Sequence, residues 1–97
     1  MVELHIFLEP EIGKEKDLAD AFQNHFVPAI KVQEGFQGVS LLKRHDSLRG
    51  RVISLRFDSE ELRVKWATSK EHDDAFPRVA GLCSSVSPRN HDVISSE

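Results

Sequence analysis

Trp66 is the single tryptophan of the chain, and His72 follows it across the segment Trp66-Ala67-Thr68-Ser69-Lys70-Glu71-His72. An imidazole with an ordinary pKa near 6.5 is neutral at physiological pH and can take a proton from a phenolic hydroxyl, which makes His72 a candidate general base. The competing reading is a histidine at a helix start whose ring packs on Phe76 and hydrogen-bonds a backbone carbonyl. Trp66 can lie against a flat aromatic molecule and donate its indole N–H to a carbonyl; equally, a lone tryptophan on a helix facing a sheet can be core. His25 borders the apolar stripe of an earlier helix, three positions beyond Phe22, and is a second candidate for the same cleft.

These side chains are positioned by two helix starts in succession. Asp58 with Glu61, and Thr68 with Glu71, read as capping boxes, so two short helices meet near Trp66. In the second of them His72, Ala75, Phe76 and Val79 form one stripe before Pro77 and Gly81 disrupt the helical run. Upstream, Val2, Leu4, Ile6 and Leu8 alternate with Glu3, His5 and Phe7, a period of two that predicts a strand ending at the breaker Pro10-Glu11-Ile12-Gly13. From Lys14 the positions Leu18, Ala21, Phe22, Ala29 and Ile30 predict a long helix, kinked near 24–28 by Pro28 and stopped at Gly35. Strands at 39–44 and 51–57 should pair as a hairpin across the polar loop 45–50. Ser84 to Asn90 reads as loop and His91 to Ser95 as a weak final strand.

This order predicts an α+β, ferredoxin-like split βαβ arrangement: a four-stranded antiparallel sheet with its helices on one face, in a single domain spanning 1–97. The other face would expose Phe7, Leu42 and Val52 among His5, Ser54 and Arg56, too apolar for open water, so a homodimer is expected with His5 and Arg56 as polar groups of its interface. The 97 residues are 39% hydrophobic and 30% charged with a net charge of −3, which is globular and offers no electrostatic footprint for nucleic acid. The N-terminal apolar stretch is too short for a signal sequence or a membrane span, so no membrane partner is expected and the location is read as cytoplasmic. Cys83 stands alone, allows no internal disulfide, and reads as a small buried apolar residue. The pairs His45-Asp46, His72-Asp73 and His91-Asp92 fall on a turn, a helix start and a strand, so no metal site is expected from them.

The segments Glu34-Gly35-Phe36-Gln37-Gly38, Asp58-Ser59-Glu60 and Trp66-Ala67-Thr68-Ser69-Lys70-Glu71-His72 together resemble the antibiotic biosynthesis monooxygenase-like group of dimeric α/β barrels. The resemblance covers most of the chain. It implies two ferredoxin-like subunits packed sheet to sheet, with a ligand cleft in each between sheet and helices. It also implies a chemistry in which a deprotonated, electron-rich aromatic passes an electron to dioxygen without a cofactor, with His72 as base; Trp66, His25, Phe57 and Phe76 are the residues expected around the substrate. Phe57 stands where the group often has a first tryptophan. The heme-degrading branch requires an asparagine on the first strand and an iron-binding histidine after the second tryptophan, and those positions here are Ile6 and Phe76. The expected function is therefore a cofactor-independent monooxygenase of a small aromatic or quinol-like molecule, against the alternative of a non-catalytic small-molecule-binding or interaction protein on the same scaffold.

Overall fold

The computed structural model describes residues 1–97. Alternation builds the first strand, β1 (Val2–Pro10), whose even positions are buried and odd positions half-buried along its whole length. Pro10 belongs to the strand rather than ending it, and its ring is among the most deeply buried groups. A helical run follows as α1 (Glu15–Ala21), a π-helical turn (Phe22–Phe26) and α2 (Val27–Ile30). Leu18, Phe22, Phe26 and Ile30 recur every four residues and are all buried. In an α-helix that spacing would drift about 40° per step around the axis. The wider π turn absorbs the drift and keeps all four on the core side. Pro28, without an N–H, lies just after the π turn inside this continuous run, which lacks one backbone donor there.

Gly35 turns the chain at φ +81 into β2 (Phe36–Lys43), and β3 (Arg51–Phe57) returns beside it. Two helices follow, α3 (Glu60–Ala67) and α4 (Lys70–Ala80), and then β4 (Cys83–Asp92). The sheet order is β2-β3-β1-β4 with every neighbouring pair antiparallel, the expected ferredoxin-like α+β arrangement. Three local expectations are corrected. The caps are Ser59 and Ser69, accepting from the N–H groups of Leu62 and His72, and not Asp58 and Thr68. Helix α4 runs through Pro77 to Ala80. The segment expected as loop, Ser84 to Asn90, lies within β4, and the strand ends before Val93.

The core fills the space between the sheet and the helices, with Leu4, Ile6, Leu8, Ile53, Leu55 and Phe57 from the strands meeting Leu18, Phe26, Ile30, Trp66 and Val79. On the opposite side of the sheet Glu3 binds both His5 (2.6 Å) and Arg56 (2.5 Å), and the contact with His5, followed by Arg56, holds its carboxyl below the usual 4.5. Phe7 on that side lies under the Arg44 guanidinium, 5.6 Å from its ring centre. Cys83 is half-buried, its thiol 3.6 Å from the Val79 carbonyl, and burial raises its pKa. No helix is long and apolar enough to cross a membrane.

Candidate functional site

Between the β1–β4 half of the sheet and the helices lies a cavity of about 340 Å³. Its floor is Leu4 and Ile6 of β1 with Val86 and Pro88 of β4, and its roof is Phe26, Trp66, Ala67 and Phe76. On the helix side the edge strand β4 presents only Val86, Pro88 and Asn90, opposite Leu8, Ile6 and Leu4, and these side chains leave space below α3 and α4. Only two polar side chains enter the lining, His72 and Arg63. A largely apolar hollow of this size with a few converging polar groups is the ordinary form of a small-molecule site.

Aromatic contacts fix the roof. Trp66 meets the Phe26 ring edge-on at 5.7 Å and the His72 ring edge-on at 5.0 Å, and His72 stacks on Phe76 at 5.1 Å. Ser69 holds the junction: its hydroxyl donates to the Trp66 carbonyl (2.7 Å) and accepts from the His72 N–H (3.1 Å), tying the end of α3 to the start of α4. Trp66 is 2% exposed. Its indole N–H has no partner within the chain, and since no buried side-chain nitrogen is left unsatisfied, this donor keeps some contact with solvent.

Burial pulls the His72 imidazole below its ordinary 6.5, while the Asp73 carboxylate, 4.0 Å away, acts the other way. The ring is therefore neutral at physiological pH, and neither of its nitrogens is hydrogen-bonded within the chain. Arg63 contacts Glu60 through Nε (2.7 Å) and Nη2 (2.5 Å), and the second oxygen of Glu60 accepts from Asn90 on β4. Those contacts, Arg63 first, hold the Glu60 carboxyl below 4.5.

Trp66, His72 and Phe76 thus converge on one cavity. Phe57 does not line it: the ring is wholly buried in the core, edge-on to Phe36 at 6.2 Å. Nor does His25, because the π turn directs Phe22 and Phe26 inward and leaves His25 exposed, in a separate groove with Pro28, Glu71 and Arg78. Phe26, Arg63, Val86 and Pro88 are lining residues that the sequence reading omitted. The four-residue spacing from Leu18 to Ile30 marks Phe26, and Arg63 is three residues before Trp66 on the same helix face. A larger depression of about 810 Å³ is a concavity of the β2–β3 loop, lined by six consecutive residues of which only Leu48 is apolar, and it converges on no chemistry. No three His, Cys, Asp or Glu side chains gather at one point. The two positions that the resemblance makes asparagine and histidine in the heme-degrading branch, Ile6 and Phe76, are here apolar walls of the cavity.

No family model and no curated protein matches the sequence. Among solved structures the chain is similar to SnoaB, a cofactor-independent oxygenase from Streptomyces nogalater, at 12% identity and TM-score 0.85, covering 98% of this chain and 94% of that one. It is similar also to a Bordetella bronchiseptica protein provisionally named an antibiotic biosynthesis monooxygenase, at 11% identity and TM-score 0.86 over 97% of each chain. A third is an arginine-to-serine variant of MhuD with two manganese protoporphyrin IX molecules bound per active site, at 20% identity and TM-score 0.84, covering 100% of this chain and 98% of that one. At these identities the likeness establishes the fold, that of the antibiotic biosynthesis monooxygenases.

Proposed function

We propose that this chain, on its antibiotic biosynthesis monooxygenase fold, oxygenates a small aromatic or quinol-like molecule without a cofactor, in the cavity beneath α3 and α4. The observation that carries the reading is the neutral, unpartnered His72 imidazole set between Trp66 and Phe76 inside an apolar hollow. A ring held against Trp66 and Phe76 brings its phenolic O–H to His72, which accepts the proton. The resulting anion donates electrons to dioxygen; one oxygen atom becomes a second ring carbonyl, and the other leaves as water with the two hydrogens lost from the phenol and the attacked carbon. The indole N–H of Trp66 is a ready donor to the carbonyl that forms. The protein is read as a cytoplasmic homodimer, its second copy covering the helix-free side of the sheet.

One observation favours a second reading, a non-catalytic binder of such molecules. General bases are commonly oriented by a third group on their far nitrogen, and the nearest candidate here, Asp73, stands 4.0 Å off. Oxygen uptake separates the two. With 1-naphthol and 1,4-dihydroxynaphthalene as substrates, the native protein should consume oxygen above the uncatalysed rate, and His72→Ala should lose on the order of 10²-fold or more. Uptake equal in the two proteins removes His72 as base, and binding without uptake establishes the binder.

A further inference from the structure

We propose that Arg63 anchors an acidic group on the ligand, so that the cavity selects aromatic molecules bearing a carboxylate over their uncharged counterparts. This rests on the reading of the cavity as an aromatic-ligand site, and it concerns a residue which that reading leaves without a role.

Arg63 is the only permanent cation in the lining, and no carboxylate shares the lining with it. Its side chain is 20% exposed, whereas that of its partner Glu60 is 46% exposed. Solvent therefore screens the Glu60 side chain more than that of Arg63. The hydrogen bonding points the same way. Nε of Arg63 donates to one oxygen of Glu60, with Nη2 2.5 Å from the same oxygen, and the guanidinium makes no other hydrogen bond, so four of its five N–H groups are unspent. Glu60 is itself held from the far side by Asn90 of β4, so the guanidinium is oriented before any ligand arrives. A fork of free N–H groups fixed at the edge of an aromatic hollow is suited to a planar carboxylate attached to a ring that Trp66 and Phe76 hold. An ordinary i,i+3 surface pair would not have its carboxylate anchored from the neighbouring sheet strand.

The test uses the quenching of Trp66, the chain's only tryptophan, by 1-naphthol and by 1-hydroxy-2-naphthoate near neutral pH. The native protein should bind the carboxylate about tenfold more tightly. Arg63→Gln should abolish that preference while leaving the affinity for 1-naphthol within about twofold, and Arg63→Lys should retain part of it. Binding of 1-naphthol also reports that each variant is folded. Equal affinity of the native protein for both probes, or an Arg63→Gln variant that weakens both alike, overturns the anchor and leaves the aromatic site standing. Failure of both probes to bind the native protein overturns the site and the anchor together.

Discussion

His72 is held neutral by its surroundings, and this gives the site a pH dependence of definite sign. The unfolded chain takes up a proton on this ring near 6.5, and the folded chain only at a lower pH. The folded state is therefore undisturbed by this group above 6.5 and loses stability as the pH falls from there through the folded-state value. The same proton would inactivate the base. In the oxygen-uptake assay, kcat/KM should rise through a single ionisation below 6.5 and then stay level until the substrate itself ionises. A limb centred above 6.5 would contradict a base desolvated in this way. His72 and Phe76 were legible because they stand four apart on an apolar stripe, and Trp66 because it closes the preceding helix. Arg63 was not, since a charge beside Glu60 at helical spacing reads as solvated surface until β4 is known to lie against it.

At the level of elements, the two helix starts were readable and their caps were not, because each misread residue is engaged elsewhere. The Asp58 carboxylate accepts from Gln37 (2.5 Å) and its N–H donates to the Gly35 carbonyl (2.9 Å), which leaves Ser59 to cap α3. Thr68 turns its hydroxyl back to the Val64 carbonyl (3.0 Å), closing α3, and Ser69 begins α4. Strand β4 escaped notice because its serines, proline and asparagine carry no alternation of their own; the pairing is imposed by β1, and Pro88 is tolerated in an edge strand. Gly35 was read correctly as left-handed, but the helix it was expected to stop ends already at Ile30 and the glycine instead turns the chain into β2; the structure adds a second demand. A Cβ there would come within 2.5 Å of Leu62 Cδ1 on α3. Gly35→Ala should therefore cost about 2–4 kcal/mol, combining left-handed strain with overpacking. Gly13→Ala, at φ +83 with nothing within 4 Å, should cost only about 1–2 kcal/mol. Urea unfolding of the two variants measures the difference, and equal losses would show that the Leu62 contact yields without cost.

For the molecule as a whole, the strand and helix order was sufficient to give the layered architecture, since alternation in β1 and β3 assigns one side of the sheet to the helices. The other side carries Phe7, Val52 and Leu42, the last 47% exposed, around the Glu3, His5 and Arg56 cluster. A mixed face of this kind is expected to bury itself against a second copy. Sedimentation of the native protein should give twice the monomer mass, and Leu42→Lys should move the population toward the monomer; a native protein that remains monomeric at high concentration removes the dimer.

The hollow between sheet and helices underlies every functional statement, and its use can be mapped residue by residue. A backbone amide NMR titration with 1-naphthol should produce shifts clustered at Leu4, Ile6, Trp66, Ala67, His72 and Phe76, with the far edge marked by Val86. Shifts gathered instead on the β2–β3 loop or on the groove beside His25, or no shifts at saturating ligand, would contradict a binding site beneath α3 and α4.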